Sequence, residues 1–169
     1  MTIRDLFVDS LRMRPDRIVV GEVRRGEALD LIQSMISGHS GAMTTVHATT
    51  PFDAAIRLET LSLMSDVALP LYVARSQVGS AIDLVVTITR LHDGSRRIQS
   101  ISESLGLDKD NQYQFRELFR LHTSGVDEKG RIQGELRSTC ELPTFSSEPY
   151  QMGLEQEIKL TQSLFSAPT

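Results

Sequence analysis

The sequence predicts an α/β fold in its first half and a mostly antiparallel β fold in its second. Three observations predict it. The run Arg17-Ile18-Val19-Val20-Gly21-Glu22 has no polar alternation and reads as a strand buried on both faces. A helix-period segment and a second strand, Ala42 to His47, follow it, and the 31 residues from Arg17 to His47 have the size of a βαβ unit. From Ile82 onward the pattern changes to β-rich segments separated by turn residues. At 169 residues, with 40% hydrophobic and 24% charged content, the chain can bury a real core.

Each element has a local reason. Thr2 to Met13 places Leu6, Phe7, Leu11 and Met13 among charges, which predicts a short amphipathic helix stopped by Pro15 and packed on the sheet. After the first strand, Val23 to Gly26 reads as a turn. A helix from Glu27 to about Ser37 then shows Leu29, Ile32, Met35 and Ile36 on one face, with Gly38 as its C-terminal stop. Thr50-Pro51-Phe52-Asp53 opens the next helix as a capping-box variant, with Thr50 at the N-cap and Pro51 at the first helical position; Ile56, Leu58, Leu61 and Leu63 carry it to about Ser65. Leu69 to Ala81 reads as one more helix, weakened by Gly79. Ile82 to Leu91 and Arg96 to Ser102 form a hairpin about His92-Asp93-Gly94-Ser95, and Tyr113 to His122 pairs with Arg131 to Thr139 about the turn Gly125 to Gly130. From Pro143 the composition is that of turns, with a helix around Leu154 to Leu164.

Composition excludes several classes. A net charge of -4 argues against broad binding to a phosphate backbone, so no nucleic-acid partner is expected. Cys140 is the single cysteine, which rules out an intrachain disulfide and any metal site built from cysteines, and the four histidines show no i, i+4 pairing. The most apolar stretch, Val67 to Ala74, is broken by Pro70 and falls far short of the roughly 20 residues a membrane helix requires. None of the three lysines follows a glycine, so the chain contains no G-x-x-x-x-G-K-[ST] phosphate loop. It also lacks a G-x-S-x-G elbow and a dinucleotide glycine fingerprint.

What remains is an acid and an imidazole. If the two strands are parallel, their C-terminal ends share one sheet edge, where open α/β sheets bind ligands, and Glu22 and His47 face one crevice. Glu22, after an apolar strand and a glycine, has the setting of a Walker B carboxylate; it is equally a strand-end acid paired with Arg24. His47 is a candidate phosphate contact, or a histidine satisfying a carbonyl. His39 lies in a glycine-flanked turn, and Arg14, Arg17, Arg24 and Arg25 supply positive charge to a nucleotide or to a neighbouring subunit, or equally form a solvated surface.

Taken together, Leu11-Arg12-Met13-Arg14-Pro15-Asp16-Arg17-Ile18-Val19-Val20-Gly21-Glu22-Val23-Arg24, Gly26-Glu27-Ala28 and Gly38-His39-Ser40-Gly41-Ala42-Met43-Thr44-Thr45-Val46-His47-Ala48 resemble the type II/IV secretion ATPase family, nearest its CpaF-like branch of Flp/Tad pilus assembly. The likeness continues more weakly through Asp93-Gly94-Ser95-Arg96-Arg97 to about Phe145. It implies the C-terminal half of a RecA-like P-loop NTPase domain, a βαβ core followed by antiparallel β-hairpins, over residues 1–145, with a tail at 146–169. It further implies that Glu22 is the Walker B carboxylate, acting on magnesium through water, that His47 is the main residue of the "His box", and that His39 and Arg24 assist at the nucleotide. ATP and Mg2+ would be the cofactors. The partners would be identical subunits in a hexameric ring and inner-membrane platform proteins, with the ring cytoplasmic and held at the membrane through them. Arg25 stands where the family has Gly, and Thr49 where it commonly has Asn.

The family's phosphate loop and its acidic "Asp box" lie upstream of the matching region. The expectation is therefore an ATPase portion that is inactive alone. Two alternatives stand beside it: a non-catalytic module that joins a ring of full-length subunits, and the remnant of a truncated gene.

Overall fold

The computed structural model describes residues 3–39 and 41–154. The chain divides into two compact units, residues 1–83 with 105–114, and residues 84–104 with 115–169.

The first unit begins with α1 (Ile3–Arg12), β1 (Val19–Val20), α2 (Glu27–Ile36) and β2 (Met43–Thr44). The two strands pair in parallel, Val19 opposite Met43 and Val20 opposite Thr44, as the βαβ spacing predicts. Each strand is shorter than its apolar run, because only these residues form ladder pairs. The expectation of a strand covered on both faces is corrected: Val19 is 67% exposed and Met43, its register partner, 54%. Ile18 and Val23 are buried, so only one face of this small sheet is covered by the described residues.

α2 buries Ala28, Leu29, Leu31 and Ile32, a wider stripe than the predicted face, and Ile36 is exposed. Gly38 ends the helix at φ +109°, a conformation strained for any residue with a Cβ. α1 packs on α2, not on the sheet, burying Phe7 and joining Arg4 to Asp30 at 3.3 Å, while Leu6 and Met13 remain exposed.

Helix α3 (Pro51–Leu63) opens as predicted: the Asp53 amide donates to Thr50 Oγ1 at 3.1 Å, and the Thr50 hydroxyl donates to the Asp53 carboxylate at 2.8 Å. α4 (Leu71–Ala81) starts two residues later than expected, because Pro70 is extended at ψ 143° and serves as its N-cap. α2, α3 and α4 pack on one another around Leu31, Ile32, Leu61 and Val78. Gly79 in α4 permits close approach, since a Cβ there would stand 3.0 Å from Leu107 Cγ. The buried carboxylate of Glu59 accepts from Arg75 Nε at 2.8 Å and Nη2 at 3.2 Å, and from the Tyr113 hydroxyl at 3.0 Å. Tyr113 also meets Phe52 edge to face, ring centres 6.2 Å apart.

β3 (Leu84–Arg90), β4 (Arg96–Leu107), β5 (Tyr113–Val126) and β6 (Ile132–Ser138) form one antiparallel sheet in sequence order. The sequence pattern predicts two separate hairpins; the structure joins them, because β4 runs on to Leu107 and a turn at Asp108–Gln112 returns the chain into β5. Ser102-Glu103-Ser104 has weak strand propensity, and pairing on both sides overrides it. The Asp93 turn is as predicted: its carboxylate accepts from the Ser95 amide and hydroxyl at 2.9 and 2.6 Å, and from the Ile132 amide at 2.7 Å. Glu103, 1% exposed, accepts from the amide and hydroxyl of Thr144 and so ties down the 3-10 turn Thr144–Ser147 that precedes α5 (Glu148–Gln151). The helix expected around Leu154 to Leu164 lies almost wholly outside the described residues.

Two outcomes follow from these carboxylates. Replacing Arg75 with Ala leaves the Glu59 charge buried without its cation, a loss of about 3 kcal/mol; urea denaturation would check it, and an unchanged midpoint would contradict the assignment. Hydrogen bonds from the Ser95 hydroxyl, then from the Ile132 and Ser95 amides, lower the Asp93 pKa from 3.8 to about 2. A depressed acid stabilises the fold above its unfolded value and loses that contribution as pH falls through the folded one. The stability gap between the native chain and Asp93→Asn is therefore full above 3.8 and closes toward about 2. Denaturation curves across that range would show a flat gap if Asp93 were not so held.

Candidate active site

The parallel ladder fixes the site. The Met43 amide donates to Ile18 O at 2.8 Å and the Val23 amide to Thr45 O at 3.2 Å, so the two chain segments stay side by side beyond the formal strands. Thr45 adds a cross-link, its hydroxyl donating to Gly21 O at 2.6 Å. Glu22 and His47 thus emerge at the same edge, and His47 Nε2 stands 3.1 Å from Glu22 Oε1.

The other carboxylate oxygen belongs to Arg24. Its Nε and Nη2 stand 2.7 and 2.6 Å from Glu22 Oε2. The hydrogen bond from Arg24, then its charge and that of His47, hold the Glu22 carboxyl below the usual carboxylate range against the opposing effect of burial, and the same pairing raises Arg24. The Glu22 side chain is 22% exposed, whereas those of Arg24 and His47 are 75% and 92% exposed.

The turn that aims Arg24 is set by Glu27, a residue the sequence reading passed over as a helix starter. Its Oε1 accepts from the Arg24 amide at 2.8 Å and the Arg25 amide at 3.1 Å. Burial raises the Glu27 pKa, but these backbone donors outweigh it and leave the carboxyl below its ordinary value. Gly26 completes the turn from the far side: a Cβ there would lie 2.6 Å from Ser65 Cα, so only glycine fits beneath the end of α3. An acid at the first position of a helix, one residue after a glycine, was the available signal for this clamp. Thr45 could be found only by knowing the register.

His39 is not brought into the group. Its amide donates to Ser34 O at 3.1 Å, and among the described residues its buried Nδ1 has no hydrogen-bond partner and no contact links it to Glu22, Arg24 or His47. No set of three or more His, Cys, Asp or Glu side chains among the described residues converges as a metal cage. The donor set here, one carboxylate already facing a guanidinium, fits a divalent cation only through an intervening water. Two surface hollows lie elsewhere, one lined by Phe7, Leu11 and Gln33, the other by Leu71, Tyr72 and Arg75.

The site is thus an acid and an imidazole at one edge of a parallel strand pair on an α/β frame, and comparison with known proteins gives the family. Residues 1–139 match the model of the type II/IV secretion system protein family, and the chain belongs to that family. It is 40% identical over 109 residues to the conjugal transfer protein TrbB of Rhizobium radiobacter, covering 64% of this chain and 32% of that protein. It is 41% identical over 97 residues to the type IV secretion system protein PtlH of Bordetella pertussis, covering 55% and 28%. Among solved structures it is similar to the VirB11 ATPase of the Brucella suis type IV secretion system, crystallised in complex with sulphate: TM-score 0.57, 34% identity, 61% of this chain and 32% of that one. The chain thus spans about a third or less of the length of these relatives. No helix among the described residues is long and apolar enough to cross a membrane.

If Glu27 clamps the turn, Glu27→Ala should raise amide hydrogen exchange at Arg24 and Arg25 on the order of ten-fold, as expected for losing hydrogen bonds to a charged acceptor. Amides of β5 and β6 serve as the internal control; uniform acceleration would mean general destabilisation, and none would remove the clamp.

Proposed function

We propose that this chain supplies the acid-and-imidazole side of the nucleotide pocket in a secretion ATPase, and that ATP turnover needs the phosphate-loop side contributed by the portion its relatives have and this sequence lacks. The observation that supports the reading is the approach of His47 to Glu22 at the shared edge of two parallel strands. Similarity to a VirB11 ATPase that holds sulphate, an anion shaped like phosphate, points the same way.

In this reading Glu22 orients the attacking water and accepts its proton, the role of a Walker B acid. His47 flanks the carboxylate on one side, Arg24 pairs with it in the ligand-free state, and Glu27 and Thr45 keep the two loops in register. Magnesium, when bound with ATP, would neutralise charge developing on the phosphates, and Glu22 would meet it through water. His39 plays at most a supporting part, through the Gly38–Gly41 turn. The exposed Val19 and Met43 form an apolar strip on a sheet with one neighbour per strand among the described residues, a face that the further length of the relatives would cover. The motif pattern favours the CpaF-like branch, hence a hexameric ring at an inner-membrane platform.

The test is reconstitution. The 169-residue chain alone should show no magnesium-dependent ATP hydrolysis. Fused or mixed with the phosphate-loop portion of a relative it should hydrolyse ATP, with Glu22→Gln reducing kcat by about 10²-fold or more. Hydrolysis by the chain alone, or a reconstituted enzyme indifferent to Glu22→Gln, would refute the assignment. Inhibition of an intact ring without hydrolysis would favour a non-catalytic ring module instead.

A further inference from the structure

We propose that Arg24 is a latch on Glu22: its guanidinium keeps the carboxylate occupied until a phosphate-bearing anion draws it away and frees the acid. The inference rests on the functional reading of Glu22 given above and adds a regulatory element to it.

The geometry is that of a closed pair. Two nitrogens of one guanidinium stand within 2.7 Å of Oε2, so that oxygen is taken up by Arg24, while His47 Nε2 lies 3.1 Å from Oε1. With two guanidinium nitrogens on it, Oε2 has no lone pair left to take a proton from water, and the Arg24 charge lowers the basicity of the whole carboxylate. What makes the pair a latch is the asymmetry of its two partners. Glu22 is held in the sheet edge, largely shielded, on a backbone fixed by Thr45. Arg24 is three-quarters exposed, and among the described residues the hydrogen bonds and ion pair of its side chain go to Glu22. Its backbone is held separately, by Glu27. The guanidinium can therefore swing without breaking the turn or the ladder.

Competition for it favours phosphate. An exposed carboxylate–guanidinium pair is weakly held in water. A phosphoanhydride offers more negative charge and several oxygens in the fork geometry that guanidinium matches. A ligand reaching this edge would take Arg24 and leave Glu22 with His47 alone. The acid would then be freed only when a phosphate is present to be attacked. A permanent positioning role predicts the opposite: the pair would survive anion binding.

Pyrophosphate titrated into the 169-residue chain, followed by NMR of the Arg24 Nε–Hε group and the Glu22 Cδ carboxyl carbon, separates these. In the free chain the Nε–Hε signal should lie away from that of a solvated arginine and return there in Glu22→Gln, with the backbone amide fingerprint otherwise preserved. Pyrophosphate should move the Arg24 and Glu22 signals together. In Arg24→Lys, which keeps the charge but not the fork, the Glu22 carbon should already sit at its released position and no longer respond. Movement of Arg24 without Glu22, or of neither up to the solubility limit of pyrophosphate, would overturn the latch. Neither reading depends on hydrolysis, so a failed reconstitution would count against the ATPase assignment and leave the latch standing, and the reverse also holds.

Discussion

The parallel pairing of two very short strands governs everything at the candidate site. Parallel neighbours deliver their C-terminal ends to the same edge, which is why residues 25 positions apart come within 3.1 Å. Antiparallel pairing of the same segments would have sent Glu22 and His47 to opposite ends. Two residue pairs make a weak ladder, and its direction is imposed from outside it by the α2 crossover. Burial of Ala28, Leu29, Leu31 and Ile32 against α3 and α4 fixes where the helix lies, and with it the distance over which the chain must return. Gly26 transmits that packing to the site, because the end of α3 rests directly on the turn carrying Arg24.

Much of this was legible in the residues. The Thr50-Pro51 start of α3, the Gly38 stop of α2, the Asp93-Gly94 turn and the βαβ spacing all depend on local backbone chemistry, and local chemistry is what a sequence displays. Placement of Glu22 with His47 followed from the spacing once parallel strands were assumed. Three features were illegible for one shared reason, namely that each depends on a partner distant in sequence. Val19 belongs to an apolar run, and nothing in that run tells that its outer face lacks a cover. β4 continues through Ser102-Glu103-Ser104 because β3 and β5 flank it, against the propensity of those residues. α1 settles on α2 through buried Phe7 and the Arg4–Asp30 ion pair, although the segment offers Leu6 and Met13 as well.

The anionic residues show how the same chemistry serves different ends. Glu59 and Glu103 are buried, and each accepts from groups that stitch distant segments: Arg75 and Tyr113 in one case, Thr144 on Oε1 in the other, whose Oε2 has no hydrogen-bond partner among the described residues. Such carboxylates are costly to disturb, because removing a partner strands a charge in low dielectric. Burial raises the Tyr113 hydroxyl pKa first, and the adjacent Glu59 charge adds to it, so that hydroxyl remains a donor across the accessible range. Those networks hold shape.

Glu22 differs in where its partners live. Its main cation is two residues away in sequence and open to water, so exchanging that cation disturbs no packing. The chain places the Thr45 cross-link and the Glu27 clamp on the backbone, and the exposed partner of Glu22 on a side chain. In the proposed latch, an acid held this way would be kept from idle chemistry by a weak contact and released by a stronger anion. Burial would have forbidden that exchange, and full exposure would have left the acid without orientation; a shielded carboxylate beside an exposed guanidinium is the arrangement in which both requirements are met.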